Sequence, residues 1–189
     1  MIARRPLRRT VAVVVATMSL CAVQASSSHR IEKATVTVLC PLTVGGSFEA
    51  KTTALTGDLT VQAGSPDGVR GTFVADLRQL ETGISLRDRH LRQNYLEVDK
   101  GPAFAVAALE KIRIDNWNGA GRFRGLLTLH GQQREISGTA TVTPDRRGFL
   151  VEAVFPLKIS DFQIPPPTYL GVGVKDTIEV KVKMLASAL

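Results

Sequence analysis

Between about Thr35 and the C-terminus, apolar residues recur at every second position in one short stretch after another, with turn signals between them. Phe48, Ala50, Thr52 and Ala54 alternate with Glu49, Lys51 and Thr53, and Phe73, Ala75 and Leu77 form the apolar side of the next run. Phe123, Gly125, Leu127 and Leu129 alternate with Arg124, Leu126, Thr128 and His130. Ile136, Gly138, Ala140 and Val142 face away from Glu135, Ser137, Thr139 and Thr141. Phe149, Val151, Ala153 and Phe155 form a further apolar row, and Ile178, Val180, Val182 and Met184 stand against Thr177, Glu179, Lys181 and Lys183. This period of two predicts half-buried strands. Ala103 to Leu109 is apolar on both faces and predicts a more deeply covered strand. Pro66-Asp67-Gly68, Asn116-Trp117-Asn118-Gly119 and Asp145-Arg146-Arg147-Gly148 supply turns.

Strands with one apolar face must cover it, and the chain has almost no helix to do so. An all-β fold follows, with the sheet closed into an antiparallel barrel of about eight strands; a sandwich is the alternative. Ala50, Ala54, Ala75, Gly125, Gly138, Ala140 and Ala153 are small inward residues, which predicts an underfilled barrel with an apolar cavity. In a sandwich they would instead let two sheets approach closely.

Residues 82–96 break the alternation. Ser85 with Asp88 is spaced as a capping pair, Asp88 with Arg92 as an ion pair, and Gly101-Pro102 should end the helix before the next strand. The prediction is one short helix lying across a barrel mouth. Arg87, Asp88 and His90 form the one cluster with catalytic potential, but positions 88 and 90 do not share a helical face, so a cap with ion pairs is the simpler account. His130 reads as a solvated or hydrogen-bonded strand-end residue, and Trp117 as a turn aromatic placed where a membrane could be touched.

Charge changes the picture near the N-terminus. The chain of 189 residues has 24 Lys+Arg against 17 Asp+Glu, a formal charge of +7 that suggests an acidic partner. Arg4, Arg5, Arg8 and Arg9 precede the apolar run Val11–Leu20, and Val23-Gln-Ala25 resembles a signal-peptidase site. Residues 1–25 are therefore expected to be a cleaved signal peptide, by the Sec or the twin-arginine route, leaving +3 on a single domain over 26–189. The protein would be exported, to the periplasm or beyond the cell. Cys21 would leave with the signal, so Cys40 would stand alone, a buried filler rather than half of a disulfide. No metal site, cofactor motif, nucleophile elbow or nucleic-acid signature is found in the sequence.

Thr82-Gly83-Ile84, Arg87-Asp88, His90-Leu91 and Tyr95-Leu96-Glu97-Val98 closely resemble the YceI-like family of exported lipid-binding proteins. The resemblance continues through Leu126-Leu127-Thr128-Leu129-His130-Gly131, Ser160-Asp161-Phe162 and Gly171-Val172-Gly173-Val174-Lys175-Asp176, spanning roughly Val36 to Met184. Gln163 departs from it, standing where many members carry Gly, and Pro165-Pro166-Pro167 stiffens the loop that follows. The resemblance implies a lipocalin-like barrel with an apolar tunnel for a polyisoprenoid, such as a quinone-type lipid, or another amphiphile, held as a ligand rather than as a cofactor. The expected lining is Phe48, Ala50, Phe73, Ala75, Leu77, Leu91, Tyr95, Phe104, Val106, Phe123, Leu127, Leu129, Phe149, Phe155 and Phe162. Arg87, Asp88 and His90 are expected to anchor the lid or meet a headgroup. Partners are expected to be an amphiphilic lipid and not nucleic acid; transient membrane contact and a homodimer stay open. Two other classes compete: an isoprenoid isomerase or cyclase with an acid among Asp88, Glu97 and Asp161, and a ligand-free interaction domain.

Overall fold

The computed structural model describes residues 26–62, 68–116, 118–169 and 171–189. The expected signal segment, Pro66-Asp67 of the predicted turn and Trp117 lie outside them. In chain order the elements are β1 (Ser26–Pro41), β2 (Ser47–Thr52), β3 (Leu55–Thr56), β4 (Asp58–Gln62), β5 (Val69–Gly71) and β6 (Phe73–Asp76). Then come the helix α1 (Ser85–His90), which widens into a π turn over Leu91–Tyr95, and α2 (Pro102–Ala105). Four long strands follow: β7 (Val106–Ile114), β8 (Gly119–Leu129), β9 (Gln132–Asp145) and β10 (Gly148–Lys158). A small hairpin, β11 (Thr168–Tyr169) and β12 (Val172–Gly173), precedes the last strand, β13 (Thr177–Ala188).

The pairing closes into a ring. β1 runs antiparallel to residues 47–62 in one register, with Pro41 opposite Ser47, Val36 opposite Thr52 and Ser26 opposite Gln62. Residues 55–62 pair in the same unbroken way with 69–76, Leu55 opposite Ala75 and Val61 opposite Val69. Antiparallel pairing then passes from β6 through β7, β8, β9 and β10 to β13, and β13 returns to β1 with Val182 opposite Val36. Because β2, β3 and β4 form one bent strand and β5 and β6 another, the 11 paired pieces act as eight staves of a barrel. Pairing that runs all the way round excludes the sandwich.

The two ends differ. At one, His29, Leu59, Val61, Val69, Val142 and Ala186 are buried and, with the half-buried Phe149 packed against them, fill the interior. At the other, the connections 42–46, 77–105 and 159–176 gather, and α1 lies among them as expected.

Three departures from the expected layout have physical causes. β1 begins at Ser26 rather than near Thr35, because long-range pairing with β4 and β13 organises a Ser-Ser-Ser-His-Arg run that has no local strand pattern. Residues 102–105 form a helical turn, not the start of a strand: Pro102 occupies the first helical position, where its missing N–H costs nothing, after Gly101 at φ 140°. Pro102 therefore starts a helix instead of only ending one. Finally, β7 carries a bulge between Glu110 and Arg113, with Lys111 at φ 51°. The extra residue shifts the inward phase, so Ala107 and Leu109 face the interior before it and Ile112 and Ile114 after it.

Gly138 shows how tightly the wall is built. A Cβ there would run into the Val154 carbonyl and reach within 2.7 Å of Phe155 Cβ and 2.9 Å of Phe123 Cε1. The glycine lets the Phe123 and Phe155 rings meet edge-to-face at 5.7 Å. Gly138→Ala is expected to cost about 1–3 kcal/mol by overpacking, read as a lower urea midpoint at unchanged slope; an unshifted midpoint would show the wall can relax. Gln163 is the converse case: it ends the 3₁₀ turn Ile159–Phe162 at φ 58°, a left-handed position that suits glycine. Gln163→Gly is expected to raise stability by up to about 1 kcal/mol, visible as a higher melting temperature.

Candidate functional site

The barrel interior holds a cavity of about 220 Å³, more than ten times the ~10–15 Å³ that one water needs. Every stave contributes to its wall: Val36, Val38 and Cys40 from β1; Phe48 and Ala50 from β2; Phe73 and Ala75 from β6; the four β7 residues named above; Phe123, Leu127 and Leu129 from β8; Ala140 from β9; Val151, Ala153, Phe155 and Leu157 from β10; Ile178, Val180, Val182 and Met184 from β13. Thr52 of β2 and Leu55 of β3, Leu77, Leu80, Leu91, Tyr95 and Leu96 from the lid connection, and Ile159, Ile164, Pro167 and Val174 from the loop opposite complete the wall. Side chains that could hydrogen-bond are nearly absent. The Thr52 hydroxyl already accepts from the Ala54 N–H at 3.1 Å, and the Tyr95 hydroxyl reaches toward the Thr168 carbonyl at 3.5 Å. Cys40 is buried in this wall, and burial pushes its thiol up to about 11, so it stays neutral and behaves as a small apolar group.

Of the residues expected to line a cavity, Phe48, Ala50, Phe73, Ala75, Leu77, Leu91, Tyr95, Phe123, Leu127, Leu129 and Phe155 do so. Phe104, Val106, Phe149 and Phe162 do not. Phe104 belongs to α2, and its ring meets His130 edge-on at 4.7 Å, outside the barrel lumen. Val106 is out of phase with Ala107 and Leu109. Phe149 faces inward but at the filled end, 5.1 Å from the His29 ring. Phe162 is fully buried behind the lining, with its carbonyl 3.0 Å from His130 Nδ1. The small residues divide as well: Ala50, Ala75, Ala140 and Ala153 leave open space, whereas Gly125 and Gly138 are occupied closely by Leu109 and by Phe123 and Phe155. The β1 and β13 faces were missing from the expected lining, although Val36-Val38-Cys40 and Ile178–Met184 show the same alternation. Ile112 and Ile114 were hidden by the bulge.

The lid is fastened at both of its ends. At the first, Ile84 rather than Ser85 is the cap, and no side chain caps the helix. Asp88 instead accepts from the Thr82 N–H at 2.6 Å and the Thr82 hydroxyl at 2.5 Å. Arg87 donates to the Thr82 hydroxyl and carbonyl and stacks over the Phe48 ring at 4.2 Å. Burial works against ionisation of Asp88, but the Thr82 donors, with Arg92 and Arg87 nearby, outweigh it and hold the carboxyl below its ordinary range. Arg92 turns to the Arg78 and Leu80 carbonyls, at 3.2 and 3.4 Å, in place of the expected pair with Asp88. His90 is half-buried and belongs to neither the cavity wall nor this anchor.

At the second end, His130 is buried, not solvated, with Nδ1 on the Phe162 carbonyl and Nε2 3.1 Å from Glu97. Both ring nitrogens face acceptors, so both contacts become hydrogen bonds only in the imidazolium. Lys100 first, and then His130, holds the Glu97 carboxyl below its usual range. Asp88, Glu97 and Asp161, the acids that an enzyme in this cavity would call on, all lie outside its wall. They are engaged by Thr82, by His130 and Lys100, and by Lys158 at 3.9 Å.

Comparison with known proteins agrees with this architecture. A solved polyisoprenoid-binding domain from Saccharophagus degradans, implicated in plant cell wall breakdown, is similar with a TM-score of 0.66 at 14% identity, over 86% of this chain and 99% of that one. BcnA of Burkholderia cenocepacia gives 0.67 at 13% identity, over 80% and 94% of the two chains. The Campylobacter jejuni YceI protein gives 0.59 at 15% identity, over 77% and 86%. At these identities the likeness establishes the fold. No curated protein matches the sequence. The model of the YceI-like domain matches residues 23–186, and the chain belongs to the YceI-like family.

Proposed function

We propose that the protein binds one long-chain lipid of the polyisoprenoid type in its barrel and, exported by a signal peptide over residues 1–25, carries or shields it in the periplasm or outside the cell. The observation that carries this reading is the cavity wall: space of about 220 Å³ bounded by carbon and sulfur, with its few hydroxyls spent or at the rim. Water inside would find too few partners to be held. An apolar chain gains roughly 0.8 kcal/mol for each methylene it removes from water, so affinity needs no covalent chemistry. The naming of the Saccharophagus degradans domain as polyisoprenoid-binding supports the ligand class. The headgroup would remain at the mouth, because nothing within the wall could pair with it.

Protein purified without detergent is expected to retain an extra mass in native mass spectrometry that extracts as an intact lipid. An empty barrel that takes up no isoprenoid would overturn the proposal. Ala153→Leu fills the lumen between Val182 and Ala140, and is expected to fold while losing roughly tenfold or more in lipid affinity. Cys40 gives an independent readout: lipid uptake is expected to slow alkylation of its thiol in the mature chain, and equal rates with and without lipid would place the ligand elsewhere.

A further inference from the structure

The lumen stops at one level on neighbouring staves. On β13 the wall runs from Ile178 to Met184, and the next inward residue, Ala186, is buried below it. On β10 it runs from Leu157 to Val151 and ends above Phe149, and on β9 it ends at Ala140, above the fully buried Val142. The register makes these ends coincide: Val151 stands opposite both Met184 and Val142, and Phe149 opposite Ala186. From β1, β4 and β5, the paired residues His29 with Leu59 and Val61 with Val69 are buried too, and none of the four lines the cavity.

This floor has little slack. The Phe149 and His29 rings lie 5.1 Å apart, and a Cβ on Gly148 would run into the Ala186 carbonyl and come within 3.2 Å of His29 Cδ2. It also sets a depth. The run from Ile178 to Met184 is about 20 Å of strand, which a barrel tilt of roughly 35–45° reduces to about 15 Å. With C–C bonds of about 1.5 Å, an extended isoprene unit of four chain carbons takes up roughly 5 Å, so about three units reach from the floor to the ends of the strands. Volume gives a similar limit. An apolar cavity of about 150 Å³ holds one benzene, and the cavity here, about 220 Å³, has room for about two isoprene units before the wall must move.

We infer that the floor is a ruler: the barrel takes up about two to three isoprene units and favours tails of that length, with Phe149 and Val142 as the residues that set it. Resting on the proposed lipid binding, the ruler narrows the ligand of that same cavity. A tail that ends at the floor removes its apolar surface from water, whereas every further unit must stay at the mouth and adds no affinity.

Equimolar mixtures of isoprenoid alcohols of two, three, four and five units, competing for the delipidated mature chain in native mass spectrometry, test this. In wild type each unit up to about the third is expected to be favoured roughly tenfold or more over the next shorter tail, and the fourth and fifth to gain nothing. Phe149→Ala lowers the floor and is expected to move the break to a tail about one unit longer. Val151→Phe raises it and is expected to move the break about one unit shorter; shifts of opposite sign cannot arise from lost folding. A preference that climbs evenly through five units, or a break that stays in place or moves the same way in both variants, would overturn the ruler and leave lipid binding standing. No occupancy at any length would overturn both.

Discussion

Everything in this molecule depends on a sheet that closes on itself before its interior is full. Ring closure satisfies the strand edges, so the barrel needs no filled core to secure its main-chain hydrogen bonds. Buried side chains close one end around Val61 and Val142, the Phe123–Phe155 contact that Gly138 permits packs the wall beyond it, and Leu80, Leu96, Phe162 and Ile164 are buried at the other. The remaining lumen is bounded by Ala50, Ala75, Ala107, Ala140 and Ala153, residues whose size leaves the space open. A sequence that placed Leu or Ile at these positions would give a solid barrel with the same hydrogen-bond pattern. The distinction between a structural barrel and a container is thus made by about five side chains.

The lid solves a different problem. Residues 77–105 cover a mouth lined by apolar atoms, and a segment so short has little core of its own. It is held instead by polar contacts at its two ends, Asp88 and Arg87 on Thr82 at one and Glu97 on His130 at the other, while Leu91, Tyr95 and Leu96 project into the lumen between them. His130 is placed for this by its own backbone: at φ 51° beside Gly131 it leaves the strand direction, so the ring is buried against Phe104 and Phe162 rather than standing in solvent. The cation–π contact of Arg87 with Phe48 joins the lid to β2, one of whose neighbours is Cys40 on the cavity wall.

The period of two marks seven of the eight staves and most of their inward faces, and its interruption marks the lid, because alternation is a local property of each strand. What escaped was set by non-local geometry. The bulge at Lys111 inverts the phase of β7 midway, which no window over Ala103–Leu109 could show. Phe149 has the right facing and the wrong depth, and depth along a barrel depends on the stagger between strands, not on alternation. Ser26–Ile31 becomes a strand only because β4 and β13 flank it. The spacing of Ser85 and Asp88 suggested a capping pair, yet Asp88 reaches back to Thr82 instead, a residue outside the helix. Small inward residues pointed correctly to open space, but two of them, Gly125 and Gly138, serve close packing. Glycine and alanine therefore mean different things in this wall: the alanines keep a hole, and the glycines admit a neighbour.

The unequal ends then fix a direction. A chain entering the lumen would meet the plug around His29 and the half-buried Phe149 and go no further, while charged and hydroxyl side chains gather at the opposite end, on the lid and its anchors. An amphiphile has one favourable orientation under these constraints, tail toward the plug and head among the lid residues. The apolar tips at Val44, Val172, Ile84 and Leu86 stand at that same end. Val44 and Val172 stay exposed although the loops that carry them are tied together through Thr43 and Gly173.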